Sequence, residues 1–509
     1  MAYINQKIKE VFPDVSVLKQ TSNNAFFKGR NLPSFVKDFV LRRYTDTEGN
    51  IDIDALKIYL DNKMPIDCNY IKQRLIASES INITTHFTTT TDIAKKCVKV
   101  TIPNLGINSD AYITETLLQE KGSELADGDH WGNITLEYVE PECKKNGYIQ
   151  VTSFISFEPY KIDLDYFLQA RQQFSLDEWI DVLVTMMEYN AEMLSQEQKL
   201  LMISRLLALV EPRINMIELG PKGTGKSYVY TNLSKYAWLL GGGKTSRARL
   251  FYNKSTKQFG VIKNHDVVGM DEISTMTFAE PDEMQSILKV YLEAGETKVD
   301  NIPFRSECGL VLLGNIPLNK ELKPQHTEYF RNLPEMFRES ATLDRFHGFI
   351  EGWKLPRLNK SHIMEGWTLN VEYFSTILHI LRSNPDYDNL FEQIVITSDD
   401  CDLRDKKAIK RIATAYQKLL FPHIHSINEI EEEDIENFKR LYVHYCLEPA
   451  IHMRQIIRQQ CHLMDKEFKP EIGSFTIQEL DHNEEGIDNN EDINYTEEIE
   501  EIDEGRIIN

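Results

Sequence analysis

The chain has 509 residues, a net charge of −22 and 41% hydrophobic residues, 10% of the chain being aromatic. That length exceeds one ordinary domain and makes roughly three the expected number, and no apolar run approaches the roughly 20 residues that span a bilayer. The opening MAYINQKIKEVF lacks a basic-then-apolar leader, so a soluble, cytoplasmic protein with no membrane partner is expected.

Charge is unevenly spread. Between Glu479 and Asn509 thirteen acidic residues against Arg506 give −12, whereas in residues 1–43 eight Lys or Arg against Glu10, Asp14 and Asp38 give +5. The whole-chain charge therefore does not exclude a nucleic-acid partner. The seven cysteines are scattered without a CxxC pair, which predicts reduced, structural thiols.

In chain order, residues 1–80 read as a basic helical module, with FVKDFVLRRY and ALKIYLDNKM carrying apolar residues at three-to-four spacing. Residues 81–162 switch to short Thr-, Val-, Ile- and Tyr-rich runs bounded by turn residues, the pattern of a compact, barrel-like β module. Residues 163–360 begin with helices, where Ser175 and Glu178 are spaced as a capping box. They continue as strand-like INMIELG, RARLFY, HDVVGMDE and CGLVLLGN between helical stretches such as SYVYTNLSKYAWLL, a mostly parallel sheet covered by helices. Residues 361–422 read as a small helical lid and 423–478 as a C-terminal helical segment. Residues 479–509 form an acidic tail expected to be disordered.

Gly220, Pro221, Lys222, Gly223, Thr224, Gly225, Lys226 and Ser227 match G-x-x-x-x-G-K-[ST] between a strand-like and a helical run. Such a Walker A loop cradles phosphates, its Lys reaching the β and γ phosphates and its Ser ligating Mg²⁺. The apolar run before Asp271-Glu272 makes Asp271 the expected Mg²⁺ partner and Glu272 the residue that polarises the attacking water. Asn315, ending the next strand, is placed to orient that water. Arg345 follows at a distance suited to an arginine finger given to a neighbouring subunit, with Arg331 and Arg338 as alternates. Arg404 or its rival Arg411 is the candidate to reach the nucleotide from the lid. ATP and Mg²⁺ are thus the expected cofactors of an α/β ATPase.

This order of elements resembles the AAA+ ATPases, which implies ring assembly. The stretches DLDYFLQARQQFSLDEWIDVLV, IELGPKGTGKSYVY, GGGKTSRARLFYN, RDKKAIKRI and KLLFPH further resemble the BrxL family, Lon-related AAA+ proteins of BREX bacteriophage-exclusion systems. The likeness runs from near residue 1 to about 478. It implies an antiviral ATPase that forms hexameric, MCM-like rings, single or stacked in pairs, encircles duplex DNA and works with other BREX proteins. Family members often carry a Lon-like protease domain with a Ser-Lys dyad. Fewer than ninety residues follow the lid here, so no protease activity is expected.

For DNA, the basic N-terminal segment and β module offer a phosphate-binding collar, and Lys298 in GETKVDN is either a phosphate contact on a pore hairpin or a solvated turn lysine. The competing expectation is a protein-remodelling ATPase or regulatory scaffold, with Phe251-Tyr252 or Phe259-Gly260 as its pore loop. The acidic tail is read as a solubilising extension, as a guard on the basic surface or as a dock for another partner.

Overall fold

The computed structural model describes residues 2–478 except 31, 93–94, 109–110, 123, 126–127, 142–145, 158–159 and 256. The tail expected over 479–509 lies outside the described residues. Among them, no helix is long and apolar enough to cross a membrane.

Helix Ala2–Val11 buries Ile4 and Ile8, and the Phe12 ring that follows stacks on Phe174 at 6.0 Å. The next strand, Ser16–Lys19, pairs antiparallel with Gly366–Leu369, far along the chain. Helix Ser34–Arg43 buries Phe35, Val36 and Val40 in the same core as Trp179, Tyr373 and Leu419. Residues 4–64 thus complete a core whose other walls come from residues 157–475.

Strands Ile81–Asp92, Cys97–Thr101, Ala111–Ile113, Gly128–Val139 and Tyr148–Ser156 close into a barrel. The third and fifth strands pair in parallel, the others antiparallel, and helix Glu115–Lys121 lies between the third and fourth. This is a five-stranded Greek-key barrel of the OB type. Alternation points Ile81, Ile83, Phe87, Ile134, Leu136 and Phe154 inward. The barrel rests on the central domain, where Asp129 lies between His86 (3.1 Å) and His265 (3.8 Å), and the His86 ring lies between Trp131 and Trp238.

The central domain is built on five parallel strands: Met216–Leu219, Ala237–Leu240, Val267–Met270, Gly309–Gly314 and Gly348–Glu351. Counted in chain order, they lie fifth, first, fourth, third, second across the sheet. The three inner strands, Met216–Leu219, Val267–Met270 and Gly309–Gly314, are wholly buried, as a sheet covered on both faces requires.

Two stretches differ from the sequence reading. SYVYTNLSKYAWLL is not one helix: the helix is Lys226–Asn232, and AWLL forms the edge strand beside Val267–Met270. Short apolar runs satisfy either period, and the open ladder edge of Val267–Met270 decides this one. RARLFY is not a sheet strand, because the Ser246 side chain accepts from Arg249 N and caps a helical turn, Arg247–Leu250. At Ser175 the expected capping box is present on helix Leu176–Met186.

Helices Val371–Arg382 and Leu403–Leu420 follow the sheet, and helix Glu448–Met464 packs against both the latter and the edge strand Gly348–Glu351.

Candidate functional site

Strand Met216–Leu219 leaves the sheet at Gly220, and the chain curls through Gly225 before its helix begins. Gly223 and Gly225 have φ of +86° and +79°, where a side chain is strained. A Cβ on Gly225 would also lie 2.3 Å from the Tyr189 hydroxyl. Lys226 turns inward, its Nζ donating to the carbonyls of Gly220 (3.0 Å) and Pro221 (2.8 Å). Burial pulls its pKa below the ordinary lysine value, against the opposing charge of Glu218.

Beneath the loop, Arg205 and Glu218 form a fully buried, two-point ion pair at 2.6 and 3.1 Å, and the third Arg205 nitrogen, Nη1, donates to the Thr224 carbonyl at 3.0 Å. Arg205 therefore fixes the loop backbone from inside the core. Neither residue belongs to the Walker pattern. The one sequence signal was a carboxylate in the middle of an otherwise apolar strand, which needs a cationic partner when buried.

Strand Gly309–Gly314 lies between the loop strand and Val267–Met270, pairing Gly314 with Leu219 and Leu312 with Met270. This register brings Asp271 and Asn315 out at the edge from which the loop departs. The Ser227 hydroxyl donates to Asp271 Oδ2 at 2.6 Å, and Asp271 Oδ1 accepts the Glu272 N–H at 2.8 Å. Glu272 has a left-handed φ of +49° and is exposed, a strained backbone of the kind found where a side chain must be aimed. Lys226, Ser227, Asp271, Glu272 and Asn315 all border one cleft of about 250 Å³ that also runs along Lys222–Gly225. The Ser227 hydroxyl and Asp271 carboxylate are hard oxygen donors and suit Mg²⁺.

Arg345 and Arg404 do not border that cleft; they come together elsewhere. Arg345 Nε lies 3.3 Å and Arg404 Nε 3.0 Å from the same Glu293 Oε2, and Arg404 Nη1 donates to Asp344 Oδ2 at 2.9 Å. Buried Arg454 clasps this turn, donating to the carbonyls of Asp344 and Phe346 on either side of Arg345 and to Asp344 Oδ1. Its Nε reaches Asp405 at 2.6 Å, so one guanidinium ties the Arg345 turn to the helix that carries Arg404. Of the alternates, Arg331 and Arg338 are exposed, and Arg411 donates to the Pro212 carbonyl.

GETKVDN forms one arm and the tip of a hairpin, Glu296–Val299 against Ile302–Arg305, turned by Asp300 and Asn301, both with positive φ. Lys298 and Arg305 are exposed on it. A second short hairpin, Tyr252–Asn253 with Gln258–Phe259, carries exposed Lys254 and Lys257, and the two touch through the Phe259 and Phe304 rings at 5.9 Å. Phe251 is buried against Tyr291 and Phe304 and cannot line a pore; Phe259 is 40% exposed.

Two family models match the chain: "Lon-like protease BrxL-like, ATPase domain" over residues 149–474 and "BREX system Lon protease-like protein BrxL N-terminal" over residues 10–138. A relative named "Lon-like protease BrxL" from Escherichia coli O9:H4 (strain HS) is 26% identical over 450 residues, which is 87% of this chain and 62% of the relative. One of the same name from Bacillus cereus (strain H3081.97) is 27% identical over 448 residues, 86% of this chain and 65% of the relative. The chain thus spans less than two thirds of the length of these relatives. Every residue of the cleft and of the Arg345 cluster falls within the matched ATPase domain. By these matches the chain belongs to the BrxL family and carries the family's ATPase domain.

Proposed function

We propose that the chain is an ATP-hydrolysing AAA+ motor of a BREX-type bacteriophage defence. In this reading it assembles into a hexameric ring, single or stacked in pairs, encircles duplex DNA and moves along it together with other BREX proteins. The observation that carries the reading is the division of the site: base, water-orienting and phosphate-binding groups border one cleft, while Arg345 and Arg404 stand apart from it. A cleft lined by lysines but, among the described residues, by no arginine is completed by a neighbouring copy that presents one, and a ring supplies such a neighbour at every interface.

In that assembly Lys226 leaves the two loop carbonyls for the β and γ phosphates. Ser227 and Asp271 would hold Mg²⁺, which would neutralise phosphate charge. Glu272 accepts the proton of the attacking water, and Asn315 holds that water in line. Arg345 from the neighbour stabilises charge on the transferring group. Arg404, fixed to the same Asp344 turn, arrives with it.

DNA as the polymer is supported by the OB-type barrel, a fold suited to nucleic acid, and by the paired hairpins with Lys254, Lys257, Lys298 and Arg305 exposed. A polypeptide-threading pore would draw on an aromatic loop, for which Phe259 alone of the two phenylalanines is exposed. The test is ATP turnover with and without duplex DNA across a salt series. Turnover is expected to rise with DNA, and binding to fall steeply with salt. Unchanged turnover together with no binding at low salt would reject the DNA reading.

A further inference from the structure

Helix Leu403–Leu420 carries Lys407, Lys410, Arg411, Thr414 and Lys418 along one stripe of its surface. The stripe borders a cavity of about 600 Å³ whose other side is formed by Arg213, Asp266 and Glu307. These three residues precede strands Met216–Leu219, Val267–Met270 and Gly309–Gly314, so the cavity lies at the opposite end of the inner strands from the Asp271 cleft. Its size sits within the roughly 300–1,000 Å³ of small-molecule sites. Most of its charges are matched: Lys418 reaches Glu211 at 2.8 Å, Arg213 Nε reaches Glu307 at 2.9 Å, His379 reaches Asp266 at 2.6 Å and Lys410 reaches Glu392 at 3.1 Å. Arg382 is spent on the carbonyls of Ala208, Glu211, Asp266 and Glu307. Arg411 and Lys407 differ, since neither forms an ion pair among the described residues. Arg411 donates through Nη1 alone, to the Pro212 carbonyl, and Lys407 only to the Glu293 carbonyl at 3.4 Å. Burial, and next the Arg213 charge, pull Arg411 below the ordinary arginine value; burial, and next Arg411, do the same to Lys407. Arg213 holds a left-handed φ of +53°, and a Cβ on Gly295 would lie 2.5 Å from its Cδ, so a strained backbone and a missing side chain together aim it. The Thr414 hydroxyl, in a residue 2% exposed, has no hydrogen-bond partner among the described residues, which is rare for a buried polar atom.

We propose that this cavity binds a compact polyphosphate anion, held by Arg213, Lys407 and Arg411, at a site separate from the glycine-rich loop. Neighbouring cations without a carboxylate between them repel one another until an anion is supplied. Nε and Nη2 of Arg411 are free among the described residues, and that edge of a guanidinium is a fork for two phosphate oxygens. Lys407 adds a point charge beside it, and an anion oxygen gives the Thr414 hydroxyl the acceptor it lacks. Pro212 and Pro385 are the only apolar side chains bordering the cavity among the described residues. No aromatic face is therefore offered to a nucleobase, and the phosphates carry the recognition. Glu307 and Asp388 border the same cavity and are exposed; they repel a continuous line of phosphates, which disfavours a nucleic-acid backbone and favours a discrete anion. Bound there, the anion joins the helix that carries Arg404 to Arg213, whose Nη1 holds the Ala294 carbonyl just before hairpin Glu296–Arg305. The site stands whether or not Gly220–Ser227 binds phosphate.

The test is calorimetric titration of inorganic pyrophosphate into the full chain carrying Lys226→Ala, at fixed ionic strength, so that the loop lysine makes no contribution. One pyrophosphate per chain is expected to bind. Adding Arg411→Gln should weaken it about tenfold or more, the loss of a charged hydrogen-bonding fork. Lys407 is exposed, so Lys407→Gln should weaken it about threefold or more and leave Tm unmoved; it decides the matter should Arg411→Gln not fold. No pyrophosphate bound by the Lys226→Ala chain, or an affinity that neither Arg411→Gln nor Lys407→Gln lowers, overturns the inference. Short duplex DNA that displaces the pyrophosphate, and whose own affinity falls with the same substitutions, would make this a polymer-binding surface and overturns it as well.

Discussion

Arg205 and Glu218 hold the glycine-rich loop from beneath without bordering its cleft. Each is fully buried, and removing one partner strands the other charge in a medium that cannot solvate it. Arg205→Ala should cost about 3–5 kcal/mol by chemical denaturation. Arg205→Met with Glu218→Leu should recover most of that loss yet leave nucleotide affinity weakened, because the Thr224 carbonyl has still lost its donor. Full recovery of affinity would remove Arg205 from any role in shaping the loop. At the cleft itself, Glu272→Gln keeps shape and removes the base, so turnover should fall about 10²- to 10⁴-fold with ATP binding retained; a drop in binding of the same size would mark Glu272 as structural. Lys226 and Ser227 were legible in the sequence because they sit in one contiguous pattern, and Asp271 because it ends an apolar run downstream of that pattern. Arg205 and Arg454 were not, because each works through a partner that only folding brings near: Arg454 meets Asp344 across 110 residues of chain.

Elements were legible where one period dominated. Helix Leu403–Leu420 and the strands of the barrel follow the three-to-four and alternating patterns from which they were expected. Ala237–Leu240 escaped notice because four apolar residues suit a helix or a strand equally, and only the neighbour strand settles the matter. The hairpin Glu296–Arg305 illustrates a middle case: its turn at Asp300-Asn301 lacks the Gly that usually announces such a turn, and the alternation is only four residues long on each arm. If this hairpin meets DNA, Lys298→Ala with Arg305→Ala should lower the magnitude of the log-affinity against log-salt slope by about 2 and leave Tm unchanged. An unchanged slope would make both side chains solvated turn charges.

At the scale of the molecule, the cleft beside the glycine-rich loop sits at one place and the Arg345–Arg404 cluster at another, and a buried arginine from the C-terminal helix holds that cluster in position. The barrel is bound to the same sheet through Asp129, whose carboxyl burial alone would raise but which the His86 hydrogen bond and the nearby His265 hold below the usual range. His265 lies two residues before strand Val267–Met270, which leads directly to Asp271-Glu272, so the barrel contact and the cleft are joined by one short stretch of chain. The central claim is that hydrolysis takes place at a site shared between copies, and mixing two inactive variants tests it most directly. Lys226→Ala and Arg345→Ala proteins should each be inactive alone, yet a one-to-one mixture should regain about a quarter of wild-type turnover, since random assembly joins an intact loop to an intact arginine at that fraction of interfaces. A mixture that stays inactive, or an Arg345→Ala protein that turns over ATP at the wild-type rate by itself, would contradict it.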